Sequence, residues 1–153
     1  MNQAEIHKFF ECLGEVWRDI SGIEFLMRCA IAKKDGDIDK LPVAPYDKGK
    51  TYNQYPKSFS DLSFENVTIK FNKRFPEIRI PNEIIQLRNA MAHGVISEIN
   101  NDGITRLIKF REQKEERKLK VEFSLNLDLK TLEQLRQSIH ELRRYVILEI
   151  NKK

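Results

Sequence analysis

A chain of 153 residues, of which 41% are hydrophobic and 33% charged, has the length and composition of one folded domain, which excludes a disordered polymer. Its 27 Lys and Arg residues against 23 Asp and Glu residues give a net charge of +4, which permits an anionic partner without requiring one. The sequence has no apolar run of the ~18 residues that a membrane-spanning helix needs, and it begins without the basic and apolar blocks of a secretory signal. We therefore expect a cytoplasmic protein with no membrane association.

The cysteine and histidine residues do not predict a metal site. The chain has two Cys and three His, and none of them stands in a CxxC, HxH or HExxH spacing. Cys12 and Cys29 fall on one predicted helix, about 25 Å apart at ~1.5 Å per residue, so they cannot form a disulfide within it. We expect a reduced protein without metal or cofactor.

Residues 3–33 carry the longest helical pattern. Their apolar residues recur at steps of three and four, as on one stripe of a helix. These residues are Ile6, Phe9, Phe10, Leu13, Val16, Trp17, Ile20, Ile23, Met27, Ala30 and Ile31. A stripe of this length needs neighbours along the whole helix, which favours a helical bundle.

A loop over residues 36–58 follows, interrupted by Pro42, Pro45, Gly49 and Pro56. It contains Tyr46, Tyr52 and Tyr55, whose rings either cover the core or serve as a base-stacking lid.

Two shorter helices are predicted next. Residues 60–75 favour a helix that ends before Pro76, although Val67, Ile69 and Phe71 also alternate as in a strand. Pro81 suits the first turn of a helix over 81–93. Gly94 is its predicted stop, as a residue that tolerates positive φ.

From 95 to 127 the period of the pattern changes to two. Leu119, Val121, Phe123, Leu125 and Leu127 alternate with polar residues, which predicts one half-buried strand. Segments 104–110 and 95–99 are expected to pair with it in a small antiparallel insertion.

The last predicted helix covers 129–151, with Asp128 as its N-terminal cap and an apolar stripe along its length. The sequence as a whole predicts a single, mainly α domain over 1–153. Its expected architecture is an up-and-down antiparallel bundle of about four helices, with a β-hairpin or three-stranded insertion before the last helix.

The candidate chemistry lies in the stretch L-R-N-A-M-A-H-G over 87–94. At about 100° per residue, Asn89 and His93 share nearly one helix face, so Asn89 can orient the imidazole. Arg88 and His93 diverge by about 140° on a regular helix. They reach one small group only if the Arg side chain wraps round the helix end, or if the same segment of a second chain faces the first across a two-fold axis.

The block R-N-x-x-A-H-G, which follows the helix start Ile80-Pro81-Asn82-Glu83-Ile84-Ile85, resembles the HEPN superfamily. That resemblance implies an up-and-down helical bundle and metal-independent RNA cleavage by a homodimer whose two motifs form a composite site. Carried over, His93 transfers protons, Arg88 holds the scissile phosphate and Asn89 positions the His or a phosphate oxygen. The expected products carry a 2′,3′-cyclic phosphate or its opened form.

The resemblance implies RNA as substrate, a homodimer through the motif helices, a role as a toxin or antiviral growth-arrest factor, and an antitoxin as a possible partner. Lys109, Arg111, Lys118 and Lys120 of the predicted insertion are candidates for contacts with the RNA backbone, and a solvated hairpin is the other interpretation. Three alternatives to catalysis stay open. The motif can form a binding module for RNA or a nucleotide, it can belong to a protein-interaction subunit, or it can serve as a helix cap.

Overall fold

The computed structural model describes residues 3–41, 48–49, 51, 54–60, 63–97, 105–114 and 117–151. Within them the chain forms four α-helices: α1 (Gln3–Lys34), α2 (Phe64–Arg74), α3 (Asn82–His93) and α4 (Leu129–Asn151). Between α3 and α4 lie the strands β1 (Val95–Ser97), β2 (Arg106–Gln113) and β3 (Lys118–Asn126), which form an antiparallel sheet in that order. The prediction of a mainly helical chain with a small antiparallel sheet before the last helix is confirmed.

The chain divides into two compact units. The first unit comprises Met1–Ile20 and Pro81–Glu141, and so contains the start of α1, all of α3, the sheet and the start of α4. Its core consists of apolar side chains from each of these elements. They include Phe9, Cys12, Val16, Ile20, Leu87, Ala90, Leu107, Leu127, Leu132 and Ile139.

In this first unit, α1 and α4 run parallel. Lys8 pairs with Glu133 at 2.5 Å, Glu15 with Arg136 at 3.0 Å and Asp19 with His140 at 3.4 Å. The residue numbers therefore increase in the same direction along both helices. The antiparallel packing expected of an up-and-down bundle is therefore wrong for this pair. A three-stranded sheet, and not a short loop, connects α3 to α4, so the alternation of direction expected of helices joined by short loops does not extend to α4.

The second unit comprises Ser21–Ile80 and Leu142–Lys153. Buried side chains of α1 and α2, among them Met27, Phe64 and Phe71, form its core. Side chains also fix the chain around α2: Arg28 Nη1 donates to the Ser58 carbonyl at 2.6 Å, and Ser58 Oγ donates to the Arg28 carbonyl at 2.9 Å. These bonds fasten the segment before α2 to α1.

Local signals set the helix ends. Ser63 accepts a hydrogen bond from Asn66 N at 3.2 Å and starts α2, and Asp128 accepts one from Thr131 N at 2.7 Å, which confirms Asp128 as the predicted cap of α4. Of the loop tyrosines, Tyr55 is exposed and does not cover a core, whereas Tyr46 and Tyr52 lie outside the described residues.

Two predictions of apolar burial are corrected. Ile6, Phe10 and Trp17 of the predicted stripe are exposed, because the buried side of α1 is narrower than the apolar pattern. Leu119 and Val121 of the predicted half-buried strand are also exposed, and the register of the sheet explains why.

Candidate functional site

The predicted catalytic residues Arg88, Asn89 and His93 all lie on α3. Pro81 precedes the helix, and its carbonyl accepts a hydrogen bond from Ile84 N at 3.2 Å, which starts the first turn. Leu87 and Ala90 are buried and anchor the helix in the first unit. These anchors leave Arg88 half-buried at the side of α3.

The end of α3 becomes exposed at Ala92 and His93. Asn89 is half-buried, and His93, the final residue of the helix, is exposed. Asn89 and His93 are separated by one turn and share a face, as the sequence predicts. Arg88 and His93 stand on a continuous α-helix, so the divergence of about 140° between them applies within one chain.

Gly94 fixes the end of the motif helix for a reason the sequence did not reveal. The prediction of a positive φ is wrong, because Gly94 has φ −91° and ψ −176°, an extended conformation that any residue adopts. A Cβ at this position would lie 2.4 Å from the Ala90 carbonyl oxygen and 2.6 Å from that of Ile108. Glycine is required because α3 turns into β1 directly against the backbone of β2.

The four candidate cations of the insertion lie on one face of the β2–β3 hairpin. Arg111 is the cross-strand partner of Lys120 and Gln113 is the partner of Lys118, and partners in an antiparallel pair share a face. Lys109 stands two residues before Arg111 on the same strand, hence on the same side. We call Lys109, Arg111, Lys118 and Lys120 the basic sheet face.

A β-bulge in β3 creates this arrangement. Lys109 pairs with Phe123 and Phe110 with Val121, so Glu122 is an extra residue between them. The bulge places Val121 and Leu119 on the face opposite to Phe123 and Leu125. A strict period of two misses this change of face, which is the physical reason for the exposure of Leu119 and Val121.

Glu122 partly neutralises the basic sheet face. Its carboxylate contacts Lys109 Nζ at 2.6 Å and Arg111 Nη1 at 4.0 Å. The hydrogen bond from Lys109 holds the pKa of the Glu122 carboxyl below its ordinary value. Lys118 and Lys120 extend the positive charge towards the turn between the strands, where Lys114 and Arg117 add to it.

One polar cluster was missed at the sequence level. Asp19 of α1 is only 1% exposed, and its carboxylate lies 3.4 Å from His140 Nδ1 of α4 and 3.4 Å from Arg18 Nε. The available signal was an acidic residue inside the apolar stripe of α1, next to Ile20 and three positions after Val16. We infer that this cluster holds α1 to α4. Its residues are distant from the motif in the sequence.

Within the described ranges, no group of three or more His, Cys, Asp or Glu side chains is arranged to hold a metal ion. The helices found in those ranges also lack the combined length and apolarity that crossing a membrane requires. Comparison of the chain with family models, curated proteins and solved structures finds no match.

Proposed function

We propose that this chain is a HEPN-type, metal-independent endoribonuclease that acts as a cytoplasmic homodimer. Its composite site consists of Arg88, Asn89 and His93 from two facing copies of α3. The observation that carries the proposal is the placement of these residues on the last turn and a half of α3, with His93 exposed at its end. The proposal depends on this motif and not on the order of the helices, since α1 and α4 run parallel.

The geometry of α3 calls for a second copy. A guanidinium and an imidazole about 140° apart on one helix converge on one phosphodiester only if the Arg88 side chain wraps round the helix end. Two copies of the helix end across a two-fold axis place the Arg88 of one chain near the His93 of the other. The close approach of Gly94 to the backbone of β2 supports a composite site, because it fixes the end of the helix that carries His93.

The chemistry needs no metal. His93 accepts the proton of a ribose 2′-OH, whose oxygen attacks the adjacent phosphorus while the bond from phosphorus to the 5′-oxygen breaks. The leaving 5′-oxygen takes a proton from an imidazolium, and the products are a 2′,3′-cyclic phosphate and a 5′-hydroxyl. Arg88 binds the non-bridging phosphate oxygens, for which its planar fork is suited, and stabilises the charge that builds up on them.

The basic sheet face supports RNA as the substrate. Its four cations share one side of a hairpin within the first unit, which is also the unit of α3. Contacts of this kind hold a phosphate backbone without reading sequence. They equally favour the second candidate function, a non-catalytic module that binds RNA or a nucleotide through Arg88 and the hairpin. A role as a toxin or antiviral growth-arrest factor, with an antitoxin partner, belongs to the first proposal.

The test is cleavage of RNA by the purified protein in excess EDTA, with product ends identified by mass spectrometry. The wild type is expected to leave 2′,3′-cyclic phosphates, and His93→Ala to lose cleavage while its circular dichroism is unchanged. His7→Ala is the matched control, because His7 is also exposed on a helix of the first unit but far from the motif in sequence.

The outcomes separate the two functions. Full activity of the His93→Ala protein, or cleavage that stops in EDTA, overturns the nuclease proposal. RNA binding without any product, weakened by Arg88→Ala and unchanged by His93→Ala, identifies the binding module instead.

A further inference from the structure

The sheet has a second face, opposite the cations, that is apolar and exposed. Val95 pairs with Ile108, and Phe110 pairs with Val121, so these side chains share one side of the sheet. Leu119 joins them, two residues from Val121 on the same strand. Val95 is 54%, Phe110 45%, Leu119 70% and Val121 52% exposed. We call these five residues the apolar sheet face.

A contiguous exposed apolar face across three strands marks a contact surface. The charges on the same side of β2 indicate what it contacts. Arg106 and Glu112 stand at the two ends of the strand, each an even number of residues from Ile108 and Phe110. Along this side β2 reads Arg106, Ile108, Phe110, Glu112: a cation, two apolar residues and an anion.

When a second strand with this order runs in the opposite direction, each cation lies opposite an anion and each apolar residue lies opposite an apolar residue. If β2 of a second copy lies antiparallel over the first, each Arg106 meets the partner's Glu112 and each Ile108 meets a Phe110. Such a surface fits an isologous two-fold contact, in which one patch serves both chains. The six-residue step from Arg106 to Glu112 spans about 20 Å at ~3.3 Å per residue. Two sheets about 10 Å apart with aligned strands bring both ends within reach of these side chains.

We propose that a second copy of this chain covers the apolar sheet face, through an antiparallel, face-to-face contact of the two β2 strands. The two-fold axis passes between Ile108 and Phe110. The exposed cations Arg111, Lys118 and Lys120 lie on the other side of each sheet, so they stay open to an anionic ligand in the dimer.

The same axis serves the composite site, and this step rests on the proposed function. Val95, the cross-strand partner of Ile108, lies beside the axis, and His93 precedes it by two residues, at most about 7 Å along an extended chain. Both α3 ends therefore come to the same side of the contact. The pairing of the faces itself does not depend on catalysis.

The first experiment measures the mass of the protein in solution by sedimentation equilibrium. The wild type is expected to be a dimer, and Leu119→Glu to weaken the dimer by about tenfold or more, because it places a charge in an apolar contact. Leu148→Glu is the matched control: Leu148 is 60% exposed on α4, outside the first unit, and its substitution leaves the dimer unchanged. A monomeric wild type, or an equal loss in both variants, overturns the proposal.

The second experiment exchanges the charges. Glu112→Arg and Arg106→Glu each place like charges opposite each other in a homodimer, so each variant alone is expected to be monomeric at concentrations where the wild type pairs. An equimolar mixture restores both opposite-charge contacts and is expected to form heterodimers. Circular dichroism checks each variant, since Arg106 Nε also donates to Asn126 Oδ1 at 3.1 Å. A mixture that stays monomeric while each variant is folded overturns the antiparallel contact.

The two proposals fail separately. A dimer that follows these charge rules but leaves RNA intact keeps this contact and removes the nuclease. If the Leu119→Glu protein stays dimeric and cleaves RNA at the wild-type rate, the nuclease is kept and the sheet contact is removed.

Discussion

Gly94, at the end of the motif helix, lies directly against the carbonyl oxygen of Ile108 in the central strand: a Cβ on Gly94 would stand 2.6 Å from that oxygen. Gly94 N also donates a hydrogen bond to the Ala90 carbonyl at 2.7 Å, which closes the last turn of the helix. Both contacts are made by Gly94, so they set the backbone position of the residue that directly follows His93. The same contact joins the motif helix to the sheet that carries the cations and the exposed apolar residues.

Replacing Gly94 by alanine is therefore expected to destabilise the protein. The added methyl carbon would stand 2.4 Å and 2.6 Å from two backbone carbonyl oxygens, so the backbone must shift. Overpacking of this kind costs about 1–3 kcal/mol of the free energy of unfolding. Urea denaturation measures the change. Gly14→Ala is the control: a Cβ there has nothing within 4 Å on the exposed side of α1, so this variant is expected to gain about 0.5–1 kcal/mol. Equal effects of the two substitutions would contradict the close approach.

Features of this chain that are set by residues close together in the sequence could be predicted from it. The motif helix, the three strands and the cap at Asp128 each follow from spacing, a proline or a short polar side chain. The sequence also placed Asn89 and His93 on one face of α3, because that relation depends only on helical geometry.

Features that are set by the pairing of strands or helices far apart in the sequence could not be predicted. The bulge at Glu122 is set by the register between β2 and β3, and it reverses the face of Leu119 and Val121. The parallel run of α1 and α4 is defined by ion pairs between residues far apart in the sequence. The resemblance of the motif to a nuclease family says nothing about either, which is why the apolar sheet face emerges only from the structure.

The buried carboxylate of Asp19 is expected to be a stability determinant. Its substitution by alanine removes the carboxylate that lies 3.4 Å from both His140 Nδ1 and Arg18 Nε. Because both partners are exposed and become solvated, the expected loss is that of an ordinary hydrogen bond, about 0.5–1.5 kcal/mol. Urea denaturation again gives the free energy of unfolding. Glu11→Ala, on the exposed side of the same helix, is expected to change it by less than about 0.5 kcal/mol. A loss as small for Asp19→Ala would show that the cluster does not hold α1 to α4.

The pair of Lys109 and Glu122 makes a prediction about pH. The hydrogen bond from Lys109 lowers the pKa of the Glu122 carboxyl in the folded protein below its unfolded value. The contribution of this pair to stability is therefore present above the unfolded pKa and is lost as the pH falls through the folded pKa. A carbon-detected NMR titration of the Glu122 carboxyl measures the value directly. Lys109→Met is expected to raise the Glu122 pKa, and an unchanged midpoint in that variant would assign the shift to another cause.

RNA binding by the hairpin predicts a specific salt dependence. Lys120→Ala removes one cation from the basic sheet face, where Arg111 is its cross-strand partner, and is expected to weaken binding of single-stranded RNA regardless of its sequence. Because each phosphate contact releases bound counterions, the slope of log affinity against log salt concentration falls by about 0.7 for one lost contact. Fluorescence anisotropy over a salt series measures both quantities. Lys73→Ala, which removes an exposed cation of α2 in the second unit, is the control and leaves the affinity and the slope unchanged. If the two substitutions reduce binding equally, the attraction comes from net charge alone and the basic sheet face is not the RNA surface.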